Sequence, residues 1–227
     1  MLGPLMMRLT ALGLAFACLL TYGAYLNSAD ATVVSFTSSA AFDAAVAGGT
    51  VIVEQYATGT NGQTIANGGS FDGLTYSFAA GPLGTLTGGI ITNEFNSFSG
   101  LSAAGNQSTG QHFFFGGDQV TVAFPAPITA VGVFFNVNLG SGNYDLVTPV
   151  EGVVTGSAVY DTSTFVFDGI TSTIPFSSIT LVSENASLGS YNIPEIEFAP
   201  VPEPATLTLV LTALLGLAAV AFTRKEL

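Results

Sequence analysis

Between Leu9 and Thr223 the chain has no lysine and no arginine; its three basic residues are Arg8, Arg224 and Lys225. Thirteen of the 15 acidic residues fall in residues 32–203, and the 227-residue chain has a formal net charge of −12. A body without cations cannot release counterions from a phosphate backbone, so nucleic acid is excluded as a partner. Binding to an anionic lipid surface through a basic patch is excluded for the same reason. Cations such as Ca²⁺ are attracted instead. The single cysteine, Cys18, lies in the apolar run of residues 9–26. Residues 32–200 therefore have no disulfide, no thiol nucleophile and no thiolate metal site. His112 is the one histidine, which rules out a His-rich zinc site. Tryptophan, the largest stacking side chain, is absent. With charged residues only 8% of the chain, solvation of the surface falls to Ser, Thr, Asn, Gln and Gly.

What is present is concentrated first at the two ends. Arg8, the apolar run after it, and Ala29-Asp30-Ala31, an Ala-x-Ala site, have the order of a secretory signal peptide over residues 1–31 cut after Ala31. Ala15-Phe16-Ala17-Cys18 lacks the aliphatic residue that a lipoprotein signal carries three before its cysteine. At the other end, residues 205–222 are eighteen residues without a charge. At about 1.5 Å per residue a helix there is roughly 27 Å long, enough to span a bilayer core of about 30 Å. Arg224 and Lys225 follow directly and favour the cytoplasmic side, leaving the body outside. Pro202 and Pro204 predict an extended collar before the span, with Glu203 between them.

Val201-Pro202-Glu203-Pro204, an apolar helix and a short basic stub closely resemble the PEP-CTERM sorting signal of envelope and matrix proteins in exopolysaccharide-making bacteria. The resemblance covers residues 201–227 and implies processing by exosortase, a membrane-embedded cysteine transpeptidase that acts near the Pro-Glu-Pro motif. It implies a protein exported through the Sec translocon, trimmed by signal peptidase and anchored transiently in the inner membrane. Cell surface or extracellular matrix is then the destination, with exopolysaccharide as the implied partner.

The middle of the chain, residues 32–200, reads as one domain. A single helix is predicted over residues 38–46, with Ser38 as cap, Phe42 and Val46 one turn apart, and Gly48-Gly49 as stop. Eleven short strands rich in Val, Ile, Phe, Thr and Tyr follow, punctuated by Gly, Asn, Asp and Pro. Such spacing predicts an all-β, jelly-roll-like β-sandwich. Val120 to Phe124 alternates, as an outer strand with one wet face should, whereas Val131 to Phe135 is apolar on both sides and belongs in the middle of a sheet. Pro125 and Pro127 are expected to follow a strand end, and Pro175 and Pro194 to fall between or just before strands. The body also resembles the β-rich domains that precede PEP-CTERM tails, a likeness of architecture that implies no functional residue.

Several constellations could carry chemistry. A Ser-His-Asp arrangement needs His112 with Asp118, but the run Phe113-Phe114-Phe115 marks His112 as the polar start of a strand, and no Gly-x-Ser-x-Gly elbow is present. Glu195 and Glu197, two apart in a predicted strand, project from one face. They suit a shared cation or a glycosidase pair, although glycosidase carboxylates must flank the bond they cut. An acidic edge strand that resists edge-to-edge pairing is the expected reading. Asn138, Asn143 and Asp145 surround Gly140-Ser141-Gly142 and could ligate Ca²⁺ from a turn, without the spacing of an EF-hand. Ca²⁺ is thus the only cofactor left open. Tyr56, Tyr76, Tyr144, Tyr160 and Tyr191 are available as a carbohydrate platform. Asn106-Gln107-Ser108 and Asn185-Ala186-Ser187 fit the glycosylation sequon. The Thr-x-Thr triplets at Thr58, Thr85, Thr162 and Thr171 have no fixed period, so no stacked threonine array of the ice-binding kind is predicted.

Together these readings predict a non-enzymatic, structural or adhesive protein of the envelope or matrix. The alternatives are a Ca²⁺-dependent carbohydrate-binding module or a hydrolase of matrix glycans.

Overall fold

The computed structural model describes residues 32–82, 85–93, 102–108, 112–115, 117–139, 142–150, 153–158, 165–183 and 190–201. The predicted signal peptide with Ala29 and Ala31, Pro202, Glu203, Pro204, the apolar run 205–222, Arg224 and Lys225 lie outside them, as do Tyr160 and Asn185. Among the described residues no helix is long and apolar enough to cross a membrane.

Among the described residues the body is all-β with one helix. Its strands are β1 (Val33–Phe36), β2 (Ile52–Glu54), β3 (Thr64–Ala66), β4 (Ser70–Phe71), β5 (Leu74–Ala79), β6 (Gly88–Thr92) and β7 (Ala103–Asn106). They continue with β8 (Phe114–Phe115), β9 (Gln119–Leu139), β10 (Gly142–Val147), β11 (Val153–Ala158), β12 (Phe165–Ser183) and β13 (Ser190–Pro200). Helix α1 (Ser39–Val46) connects β1 to β2. Ser38 is its N-cap residue but makes no side-chain cap, and its carbonyl accepts the Phe42 N–H at 3.1 Å.

Two long antiparallel strands organise everything else. The first half of β9 pairs with β5 and with the end of β12, while its second half pairs with the start of β12 and with β13. In β12 the register breaks twice between Thr171 and Ser178, opposite the stretch of β9 that holds Pro125 and Pro127. This corrects the expectation that those prolines end a strand: the predicted strands on either side are one strand of 21 residues. Proline lacks an N–H for the ladder, and a register break is where a ladder can spare one. Pro175 and Pro194 lie at the same kind of break in β12 and β13.

One core lies between the layers, with Val120, Val122 and Phe124 from one half of β9 and Val131, Val133 and Phe135 from the other. A chain of aromatic contacts runs through it. Tyr56 stacks on Phe71 and touches Tyr76, Tyr76 stacks on Phe78, Phe78 on Phe114, and Phe114 meets Tyr191. Phe135 and Tyr144 complete the group around Tyr191 at 5.5 and 5.8 Å. A second, smaller core joins α1 to the outside of the sheet through Phe42, Val46, Ala130, Phe167 and Ala199. Gly132 and Gly169 make room for it: a Cβ on Gly132 would lie 2.5 Å from Phe167 Cζ, and one on Gly169 2.9 Å from Phe42 Cδ2.

Candidate functional site

Of the five tyrosines available for a carbohydrate platform, the four among the described residues do not face solvent. Tyr56, Tyr76, Tyr144 and Tyr191 are all fully buried in the core. Three of the hydroxyls find partners inside: Tyr76 donates to Tyr56 at 3.2 Å, and Tyr191 donates to the carbonyls of Asp118 and Leu181 at 3.3 Å, while the Tyr144 hydroxyl is buried without one. Burial raises each phenol, Tyr144 to about 12, so the aromatic run is uncharged at neutral pH.

His112 and Asp118 do not form a catalytic pair. The Asp118 carboxylate is taken up by the N–H groups of Gly81 and Phe115, at 2.9 and 3.0 Å, and by Asn106 Nδ2 at 3.2 Å. From a fully buried position it fastens the ends of β7 and β8 to the loop after β5. His112 Nδ1 instead approaches the Asn106 carbonyl at 3.3 Å. Asn106 is itself completely buried, which removes the first sequon from any glycosylating enzyme acting on the folded chain.

Glu195 and Glu197 share a face of β13, as their spacing predicts, but β13 is an interior strand and not an edge. Glu195 stands opposite Phe134 of β9, and Glu197 has Gly132 of β9 on one side and Val53 of β2 on the other. They are 5% and 9% exposed. Gln55 Nε2 donates to Glu195 Oε2. Desolvation, then the neighbouring Glu195 and Asp43 carboxyls, push Glu197 up to about 8. On the other side of the same strand pair, Glu54 stands opposite Ile196 and faces the core. It accepts the Tyr56 N–H at 2.5 Å, and desolvation raises it to about 7 against that bond, with Asp72 adding to the rise.

The two predicted Ca²⁺ sets are not brought together. Asp145 lies on β10 opposite Val182 of β12, and β9 and β12 separate β10 from β13. Asn138 and Asn143 lie in β9 and β10, Asn143 paired with Ser157 instead of sitting in a turn; their side chains fall outside the described residues. Among the described residues no three or more His, Cys, Asp or Glu side chains are grouped to hold a metal ion.

What the structure does assemble is a hydroxyl-bearing face that no local motif announces. On the solvent side of the first half of β9, Ser77, Thr121, Thr180 and Val147 stand in one row across β5, β9, β12 and β10. Ser70, Thr75, Ala123 and Ser178 form the next row. Thr121 and Thr180 share a hydrogen bond at 2.9 Å, and Ser70 and Thr75 another at 3.0 Å. Strand geometry sets the spacing of such a face at about 4.8 Å across the strands and about 6.8 Å along them. No residue of these two rows is ionisable. Asp145, opposite Val182 in the neighbouring row, is buried, and the exposed Asp72 lies in the turn between β4 and β5 at the margin of the face. The alternations Thr75-Tyr76-Ser77 and Ser178-Ile179-Thr180 were the available signals, each a half-buried strand with hydroxyls on its wet side.

No family model and no curated protein matches the chain. Among solved structures it is similar to the K2 cleaved adhesin domain of Lys-gingipain, at 13% identity and a TM-score of 0.44, over 66% of this chain and 99% of that one. It is also similar to the CBM22-1 xylan-binding domain from Paenibacillus barcinonensis, at 10% identity and a TM-score of 0.37, over 68% of this chain and 97% of that one. A family 29 carbohydrate-binding module matches at 8% identity and a TM-score of 0.33, over 70% of this chain and 98% of that one. At these values the likeness is one of fold.

Proposed function

We propose that this is an exported, non-enzymatic protein of a bacterial envelope or matrix, sorted by an exosortase through its PEP-CTERM tail and adhering to a neutral glycan through its β body. The observation that carries the sorting reading is the order Pro-Glu-Pro, apolar run, basic stub, beginning one residue past β13. There the Val201 N–H is tied to the Pro127 carbonyl at 3.1 Å, so the residue that precedes Pro202 is held on the body. Support for the glycan comes from the hydroxyl face. Its uncharged rows offer hydrogen-bond donors and acceptors at regular spacing, which suits a neutral, polyhydroxylated chain and gives nothing to an anionic one.

Sorting is tested with Glu203→Ala in a host carrying the exosortase. Unprocessed protein should accumulate in the inner membrane, and normal release of the variant overturns the sorting reading. Glycan adhesion is tested separately on the full chain by affinity electrophoresis against neutral and acidic polysaccharides. Neutral chains should retard it, and Ser77→Asp, a charge at an exposed place on the face, should abolish the retardation. Retardation unchanged by Ser77→Asp, or none with any neutral glycan, removes the adhesive reading and leaves sorting untouched.

A further inference from the structure

We propose that β2 is an association edge: two copies of this chain pair through it, antiparallel, about a two-fold axis centred on Ile52.

β2 is held from one side. Among the described residues it pairs with β13 alone, Ile52 opposite Phe198 and Val53 opposite Glu197, and no strand pairs with its other side. The side chains show the same opening. Ile52 and Val53 are 44% and 48% exposed, and as successive strand residues they stand on opposite faces of the sheet. A strand laid beside β2 would cover both at once. Five large hydrophobics are exposed among the described residues, and only these two are adjacent in the chain.

Edge strands are commonly blunted by lysine, proline, a bulge or an outward charge. β2 has no proline or lysine, and its register with β13 runs unbroken through all three pairs. Its one acid, Glu54, is buried and accepts the Tyr56 N–H. The remaining guard is its length of three residues, which keeps the association weak.

A second copy is the partner that this strand fits. Residues opposite each other in an antiparallel pair share a face, so a two-fold axis through the pair must pass through a residue position. The strand must then be self-complementary about that residue. Val51-Ile52-Val53 reads the same in both directions. With the axis at Ile52, this residue faces the partner's Ile52 and Val51 faces the partner's Val53, with Cβ atoms about 4.5–5.5 Å apart. Helix α1 packs on β12, β9 and β1, toward the other edge of the sheet, and leaves this one clear. Each copy has a formal net charge of −12, so main-chain hydrogen bonds and apolar contact must hold the pair against repulsion. Salt screens that repulsion and should strengthen the association.

Two measurements on the full chain test this. In a Cys18→Ser background, Ile52→Cys puts a thiol on the axis, and mild oxidation should join it into a covalent dimer. Val34→Cys, on β1 and 46% exposed, should stay monomeric under the same treatment. In sedimentation from about 10 μM to about 1 mM, the span of weak affinities, the parent should pass from monomer to dimer, at lower concentration when salt is added. Ile52→Lys sets two ammonium groups opposite each other and should raise the midpoint about tenfold. Should that variant fail to fold, the two cysteine variants decide alone. Equal crosslinking of the two overturns the proposal, and so does a parent that stays monomeric throughout. A dimer that Ile52→Lys leaves unchanged also overturns it, and points to the apolar run of residues 205–222 as the site of association.

Discussion

The same two strands, β9 and β12, present two unlike outer faces. Over the first half of β9 the face is open and carries Ser77, Thr121, Ser178 and Thr180, with no charge in its rows. Over the second half it is covered by α1 and holds Phe42 beside buried carboxyls. The inner faces of both halves are alike, Val and Phe packed into one core. The difference shows how a body without lysine or arginine can divide its polar groups. Hydroxyls need no counterion and can stay at the surface, whereas a carboxyl buried in the sheet, such as Glu197, is pushed toward its neutral form by desolvation. Removing a side chain should therefore act through lost packing on the covered face and through lost recognition on the open one.

The largest effect is expected from Phe42→Ala. The ring is fully buried, with Phe36 at 5.8 Å and Phe167 at 5.6 Å, and removing it should cost about 3–5 kcal/mol of stability by chemical denaturation. A cost below about 1 kcal/mol would mean that α1 is not held by this ring. Gly132→Ala probes the same contact from the sheet side. Its methyl would lie 2.5 Å from Phe167 Cζ, so overpacking should cost about 1–3 kcal/mol.

Protonation separates the faces without any substitution in the open one. Glu197 keeps its proton to about 8 and Glu54 to about 7 in the folded chain, against an ordinary value of 4.5. Over that interval the folded state binds more protons than the unfolded one, so stability falls as pH rises. Their contribution is intact below about 4.5 and is lost progressively through about 7 and 8. The melting temperature should therefore drop between pH 5 and pH 8.5, the reverse of ordinary acid denaturation, and Glu197→Gln should flatten the upper part of that drop. A melting temperature that rises with pH across this range would show that neither carboxyl is buried in its neutral form.

How much of this was legible depended on how local the signal was. The alternation of Val120 to Phe124 correctly predicts one wet face, and the doubly apolar Val131 to Phe135 correctly predicts an interior strand. That both belong to a single strand was hidden by Pro125 and Pro127, which read as punctuation and are in fact accommodated opposite a register break. A period of two put Glu195 and Glu197 on one face, but strand order is not written in a strand's own residues. Only its pairing with β9 on one side and β2 on the other, both far away in the chain, shows that the strand is interior. The tyrosines misled because an amphipathic ring fits either side of a sheet; what settles the matter is a buried partner for the hydroxyl, such as the Asp118 carbonyl for Tyr191. The hydroxyl face draws on three separated segments, and a search for Thr-x-Thr along the chain cannot see neighbours that are formed across it.

The smallest structural effect and the sharpest functional one should come together at the centre of that face. Thr121→Val and Thr180→Val keep the branched shape that suits a strand and remove the hydroxyls of the 2.9 Å pair. A cross-strand pair of this kind is worth about 0.2–1 kcal/mol, so each variant should melt close to the parent. Retardation by a neutral glycan should nevertheless fall in each, because the lost hydroxyl is one that the ligand would meet in a row with Ser77. In the double variant the two stability costs should sum to more than the measured loss, since either single change already breaks the shared hydrogen bond. If both hydroxyls can be removed with glycan retardation unaltered, the open face is only a solvated surface, and its contrast with the covered one is a matter of packing alone.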